Sequence, residues 1–73
     1  MMTRYKIVLA PVEDHGYTVS VPDLPGCFTQ GKSRKEALEN AHEAIECYLE
    51  GLRQDGIDPA KIPKAQITSI SVG

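Results

Sequence analysis

The sequence predicts an α+β fold in two layers, β-β-β-α-β: an antiparallel sheet with one helix packed on one face and the last strand parallel to the first. Three observations lead there. Residues 3–12 and 17–21 alternate apolar and polar positions on either side of a turn-forming stretch, the period of half-buried strands. Apolar positions then recur at helical spacing behind a capping signal at Ser33. A further apolar segment, 65–72, follows the helix, and a right-handed crossover through that helix places it beside the first strand and parallel to it.

In the first strand Tyr5, Ile7 and Leu9 share one face, and Arg4, Lys6, Val8 and Ala10 the other. Glu13-Asp14-His15-Gly16 is turn material, with Gly16 able to supply a positive φ. The second strand sets Tyr17, Val19 and Val21 against Thr18 and Ser20, so the two form a hairpin. Pro22-Asp23-Leu24-Pro25-Gly26 then leaves the sheet, because prolines bring no ladder donor and restrict the residue before them. Residues 27–30 make a short third strand, ended by Gly31.

Ser33-Arg34-Lys35-Glu36 fits a capping box, in which serine and glutamate satisfy orphan amides at a helix start. Leu38, Ala41, Ile45, Tyr48, Leu49 and Leu52 form the buried stripe, and Gly56 is the stop. Gly51, inside the helix, costs about 1 kcal/mol against alanine, so it is expected to admit a close neighbour. Residues 57–64, with two prolines, are a connection. In the final strand Ala65 and Ile67 have one parity and Ile70 and Val72 the other. Either a bulge near Thr68-Ser69 or an edge strand half-buried on both faces reconciles them.

All 73 residues belong to one domain, 1–73, with no internal repeat. A chain this short buries only about 60% of its unfolded surface, and such folds commonly need a staple, a metal or a second subunit. The net charge is −2, and the basic residues are scattered over Arg4, Lys6, Lys32, Arg34, Lys35, Lys61 and Lys64. The middle trio can touch an anion at the helix start, but as a rule such a cluster is a solvated loop. Without a concentrated basic face, direct nucleic-acid binding is not expected. No run reaches the roughly 20 apolar residues of a membrane span, and the N-terminus lacks a signal-peptide segment. The expectation is a cytoplasmic protein in which Cys27 and Cys47 are reduced, with a single bridge between them as the alternative.

Tyr17-x-Val19-x-Val21-Pro22-Asp23-Leu24-Pro25-Gly26-Cys27, then Gly31, then Glu36-Ala37-Leu38 and an alanine-rich amphipathic helix, resembles the HicB-type antitoxin domain. The likeness runs from the first strand to the end of the helix. It implies a degraded ribonuclease-H-like fold with the element order above. It also implies a role in neutralising HicA-type toxins, small basic ribonucleases acting on messenger RNA, by covering the toxin's active site. Many members carry a DNA-binding segment after the last strand; this sequence stops at Gly73, so the repressor role is not part of the expectation.

The ribonuclease H comparison raises nuclease chemistry, which needs several carboxylates converging on two metal ions. Residues 3–12 and 65–72 hold no Asp or Glu, and Asp23 stands alone in its loop, so no catalysis is expected. His15 reads as a loop residue. His42 stands a turn from both Glu39 and Glu46, a spacing that can bind a divalent ion but is more often a solubilising surface. Cys27 has no neighbouring base and reads as a small buried side chain. No metal and no cofactor are expected.

Two helix flanks offer surfaces. Glu36, Glu39, Glu43, Glu46 and Glu50 share one side with only Arg53 to offset them, which suits a basic partner or is simply a solvated face. Asn40, Ala44, Cys47 and Gly51 form a stripe of small residues on the other. Partner contacts are therefore expected at Asp23, Leu24, Glu39, Glu43, Glu46 and Glu50. Self-association into a homodimer, or a higher homo-oligomer, is expected through Asn40, Ala44, Cys47 and Gly51, or through Val8 and Ala10 on the uncovered sheet face. The loop around Asp23 is better explained as architecture alone than by direct partner contact. A structural or regulatory oligomerisation module without a toxin is the alternative function.

Overall fold

The computed structural model describes residues 3–13, 16–63, 66 and 68–73. Three strands, β1 (Val8–Val12), β2 (Gly16–Ser20) and β3 (Phe28–Gly31), precede one helix, α1 (Arg34–Gln54), and a short 3-10 turn, Pro59–Lys61. The sheet order is β1-β2-β3 and both pairings are antiparallel, with Leu9 opposite Val19 and Thr18 opposite Gln30. The α+β arrangement of hairpin, third strand and one covering helix is thus as the sequence predicts.

Two departures concern the strands. β1 begins at Val8 rather than residue 3, although Tyr5 and Ile7 still pack towards the core. The register explains this: continuing it past the Val8–Ser20 pair would set residues 3–7 against 21–25, where two prolines carry β2 out of the sheet. The expected last strand is not formed among the described residues: Gln66 and 68–73 carry no strand, and Ile70 and Val72 are 83% and 91% exposed. With apolar residues split between two parities, no regular strand buries all of them on one side, and the ordering entropy goes uncompensated. Ala65 and Ile67 lie outside the described residues, as do Lys64, Asp14 and His15. Gly16 pairs with Val12 inside β2; the positive φ values belong to Gly26 and Gly56.

Residues 21–27 form two linked turns. The Leu24 amide donates to Val21 O at 3.0 Å and the Cys27 amide to Leu24 O at 3.0 Å, while the Val21 amide donates to Cys27 O across the base at 3.1 Å. The second turn has proline then glycine at its centre, and Gly26 at φ 82° is the conformation a type II turn demands there. Main-chain carbonyls, rather than the Asp23 carboxylate, accept these amides, and the turns drive Leu24 into the core, where it is 1% exposed.

Ser33 caps α1, its hydroxyl accepting from the Glu36 amide at 3.1 Å. Glu36 answers by accepting from the Lys32 amide at 3.1 Å, one residue earlier than a strict capping box places it. At the far end the Ile57 amide donates to Leu52 O at 2.9 Å and the Gly56 amide to Arg53 O at 3.1 Å, with Gly56 at φ 71°. That is a Schellman stop, for which glycine is the least strained residue.

The core lies between helix and sheet as two clusters. Val19, Ala37 and Ala41 join Ile7, Leu9 and Tyr17 under the first half of α1. Val21, Leu24 and Cys27 join Tyr5, Ala44, Ile45, Tyr48 and Leu49 under the second half, and Ile7 touches both clusters. The buried stripe keeps Ala41, Ile45, Tyr48 and Leu49 of the expected one but is wider at its start, where Ala37 is 0% exposed and Leu38 only half-buried. Gly31 is the cause. A Cβ there would stand 2.6 Å from Ala37 Cα and 2.8 Å from the Glu36 carbonyl carbon, so helix backbone meets strand backbone at this point. Gly51, by contrast, has nothing within 4 Å of such an atom, so no neighbour among the described residues requires it.

The two glycines make a paired prediction, read by thermal or urea denaturation. Gly31→Ala forces backbone to move and is expected to cost about 3 kcal/mol, the upper part of the overpacking range. Gly51→Ala is expected to raise stability by about 0.5–1 kcal/mol. Equal, small effects would show that the helix does not rest on β3 as described.

Candidate partner interface

Helical periodicity gathers Glu36, Glu39, Glu43, Glu46 and Glu50 on one stripe of α1. All five are exposed, while Ala37, Ala41, Ala44, Ile45 and Tyr48 face the core, so the acidic ridge is the outward face of the helix. Two of its carboxylates have close side-chain partners. Arg53 donates through Nε to Glu50 Oε2 at 3.0 Å and bonds the other oxygen through Nη2; this guanidinium holds the Glu50 carboxyl below its ordinary pKa. His42 Nδ1 lies 2.7 Å from Glu46 Oε1. Such exposed pairs contribute little to stability. Among the described residues neither Glu39 nor Glu43 has an ion-pair partner, which leaves the middle of the ridge as its most negative part.

The loop residues separate. Asp23 is half-buried and borders a shallow depression with Thr3, Arg4, Tyr5, Asp58 and Pro59. Leu24 is core, so its side chain is turned away from any partner, a correction to the sequence-based contact set. A second depression, lined by Thr3, Tyr5, Ile45, Leu49, Ile57 and Pro59, carries His42, Glu46 and Arg53 on its helix side. The two depressions share Thr3, Tyr5 and Pro59, so Asp23 and the later half of the ridge border one stretch of surface.

The residues expected to mediate self-association fall on different sides of the molecule. Val8 and Ala10 lie with Thr18, Ser20, Phe28 and Gln30 on the sheet face away from the helix, where Phe28 is 72% exposed. Asn40, Ala44 and Cys47 lie on the helix flank over β3 and border a depression with Thr29 and Glu43. Asn40 Nδ2 donates to Gln30 O at 2.8 Å, tying the helix to the strand, and Ala44 packs on the second core cluster, so both serve the fold itself. Cys47 and Gly51 are exposed. Phe28 is the apolar surface residue that pattern reading missed. The strand parity of residues 27–30 puts Phe28 beside Gln30 and opposite Cys27, which was the available signal.

Both thiols are free, Cys27 buried and Cys47 exposed. Burial, and secondarily the nearby Cys47, pushes the Cys27 thiol up from its ordinary pKa, which keeps it protonated and unreactive at neutral pH. Among the described residues no group of three or more His, Cys, Asp or Glu side chains is placed to hold a metal ion, and no helix is long and apolar enough to cross a membrane. What this geometry offers is a charged ridge and apolar edges for docking.

The family described as the HicB-like antitoxin of the bacterial toxin–antitoxin system matches residues 5–71. The chain belongs to that family. Its antitoxin relatives include Antitoxin HicB 1 of Photorhabdus laumondii, 47% identical over 60 residues, which cover 82% of this chain and 37% of that protein. Small archaeal relatives are matched nearly end to end. A UPF0150 protein of Thermoplasma acidophilum is 46% identical over 69 residues, covering 94% of this chain and 96% of the relative. A UPF0150 protein of Archaeoglobus fulgidus is 39% identical over 70 residues, 96% of this chain and 99% of the relative. The chain therefore spans nearly the whole of these short relatives and well under half of the Photorhabdus antitoxin.

In this HicB-like chain iodoacetamide, followed by intact mass, is expected to modify Cys47 first and Cys27 roughly tenfold more slowly or less, since Cys27 must wait for a local opening. Both thiols should react alike in denaturant. Equal rates under native conditions would mean that the 21–27 loop does not shield Cys27.

Proposed function

We propose that this chain is the antitoxin of a toxin–antitoxin pair, neutralising a small basic HicA-type ribonuclease by seating it against the acidic ridge of α1 and covering its active site. The single observation that carries the reading, within a family of antitoxins, is the ridge: five exposed glutamates on the outward helix face, with Glu39 and Glu43 unpaired among the described residues. A negative stripe steers a positively charged partner into encounter and rejects acidic ones. Asp23, bordering the same stretch of surface near Glu46, extends the contact, whereas Leu24 takes no part. The exposed Phe28, Ile70 and Val72 favour a second reading, a self-associating module with no toxin.

Co-expression with a small basic HicA-type protein separates the two. A complex recovered by tag pull-down, together with restored growth, is the expected result; no complex and no rescue would leave only the module. In such a complex Glu43→Lys with Glu46→Lys is expected to slow association about tenfold or more at low ionic strength. The difference should largely vanish near 1 M salt, where the Debye length is about 3 Å. An unchanged association rate would remove the ridge from the interface.

A further inference from the structure

The helix packs chiefly over β3 and β2, and one flank of its second half borders a cleft instead. His42, Ile45, Glu46, Leu49 and Arg53 recur there at spacings of three and four, one stripe of helix surface. Tyr5, from the stretch before β1, and Ile57, from beyond the helix, help complete the lining of a cleft of about 640 Å³. That volume falls within the ~300–1,000 Å³ of clefts that take ligands. Tyr5, Ile45 and Leu49 are half-buried extensions of the second core cluster, so the floor is apolar and continuous with the core. Ile57 is 45% exposed and belongs to neither cluster.

The rim of this cleft is acidic on two sides. On the helix side Glu46 lines it, with Glu43 and Glu50 beside it on the ridge, and the cations there are already engaged: Arg53 with Glu50, and His42, when protonated, with Glu46. On the loop side lies the shallow depression that shares Thr3, Tyr5 and Pro59 with the cleft, and it sets Asp23 and Asp58 against Arg4. Such a rim repels phosphate, which excludes anionic lipid surfaces and nucleic acid as its occupants. A second copy also fits it poorly. Phe28 stands among Ser20, Thr29 and Gln30, and Ile70 and Val72 among Ser69, Ser71 and Gly73, so none of these exposed apolar residues brings a cation to the rim.

We propose that this cleft is the anchor of the partner interface: it takes one large apolar side chain from a segment of a basic protein, and lysine or arginine residues flanking that side chain meet Glu46 on the helix side and Asp23 or Asp58 on the loop side. The proposal deepens the antitoxin reading and, in making the segment the toxin's, rests on it. The ridge and the cleft then act on different rates. Exposed carboxylates govern encounter, because their field reaches beyond contact distance. An apolar side chain that leaves water for a floor joined to the core governs how long the complex lasts.

The chemistry of the site is tested on the full chain alone, by amide-shift titration with the peptide acetyl-Lys-Trp-Lys-amide. Saturable shifts at Ile45, Leu49 and Ile57 are expected, with roughly threefold or more weaker binding of acetyl-Glu-Trp-Glu-amide and of acetyl-Lys-Ala-Lys-amide. Absence of saturable shifts at these residues, or equal binding of all three peptides, would overturn the proposal. So would the same shifts on raising the protein concentration without peptide, which give the cleft to a second copy, or Overhauser contacts from Ile70 or Val72 to Leu49, which give it to the chain's own tail. In the toxin complex Ile57→Ser is expected to speed dissociation about tenfold with association and the far-ultraviolet helix signal unchanged, and Ile57→Leu to restore the slow rate. Unchanged dissociation in a complex that forms removes the anchor and leaves the antitoxin reading standing. Peptide bound at the cleft with no toxin complex removes the antitoxin reading and leaves the cleft as a site for another basic segment.

Discussion

Helix and sheet meet at Gly31 and Ala37 with no side chain between them, and the remaining packing is arranged around that contact. Only two residues, Lys32 and Ser33, separate the end of β3 from the start of α1, so the helix must begin almost on top of the strand it leaves. A glycine on one side and an alanine on the other allow it. Ser33 and Glu36 then satisfy the amides that so abrupt a start would orphan, and the Asn40 bond to Gln30 fixes the direction one turn later. With origin and direction set, the outward face is set as well, and the glutamates fall on it.

The first half of the helix contributes little apolar volume because it lies so close to the sheet, and the second half makes up the difference by a different route. There the helix stands over the 21–27 loop, and larger residues, Ile45, Tyr48 and Leu49, reach down to Leu24. Tyr48 closes this side by donating to Pro25 O at 2.7 Å. The loop is thus a piece of core built from turns. Its prolines and Gly26 shape the backbone so that one leucine does the work a strand residue does elsewhere, and Cys27 is sealed in with it.

Much of this was legible in the sequence. The hairpin follows from alternation, the helix and both its ends from Ser33, Glu36 and Gly56, and the Arg53–Glu50 pair from spacing. What escaped was decided by contacts distant in sequence. Periodicity ranks Leu38 above Ala37 because it weighs hydrophobicity and knows nothing of the bare strand backbone above Gly31. Leu24 looked like a surface residue because loops usually lie outside, whereas two consecutive turns point this one inward. Gly51 looked like a place of close approach and has open space beside it. The final strand was drawn from apolar residues on two parities, and those of them that are described carry no strand. Of the surface residues, the glutamates and Asp23 stand where spacing put them, while Leu24 does not, for the same reason of turn geometry.

Ile7 touches both core clusters, and it sits just before β1 in a stretch with no strand pairing of its own. The two clusters are also linked by the helix and by the main chain that runs from Val19 in one to Val21 in the other, and Ile7 is the side chain that packs on both. Loss of the loop-side cluster would leave the hairpin and first helical turns still packed, and amide exchange in the second half of α1 would then proceed by an opening smaller than global unfolding. Opening of that kind would loosen first the half of the helix that carries the later glutamates, and with it the shape of the ridge.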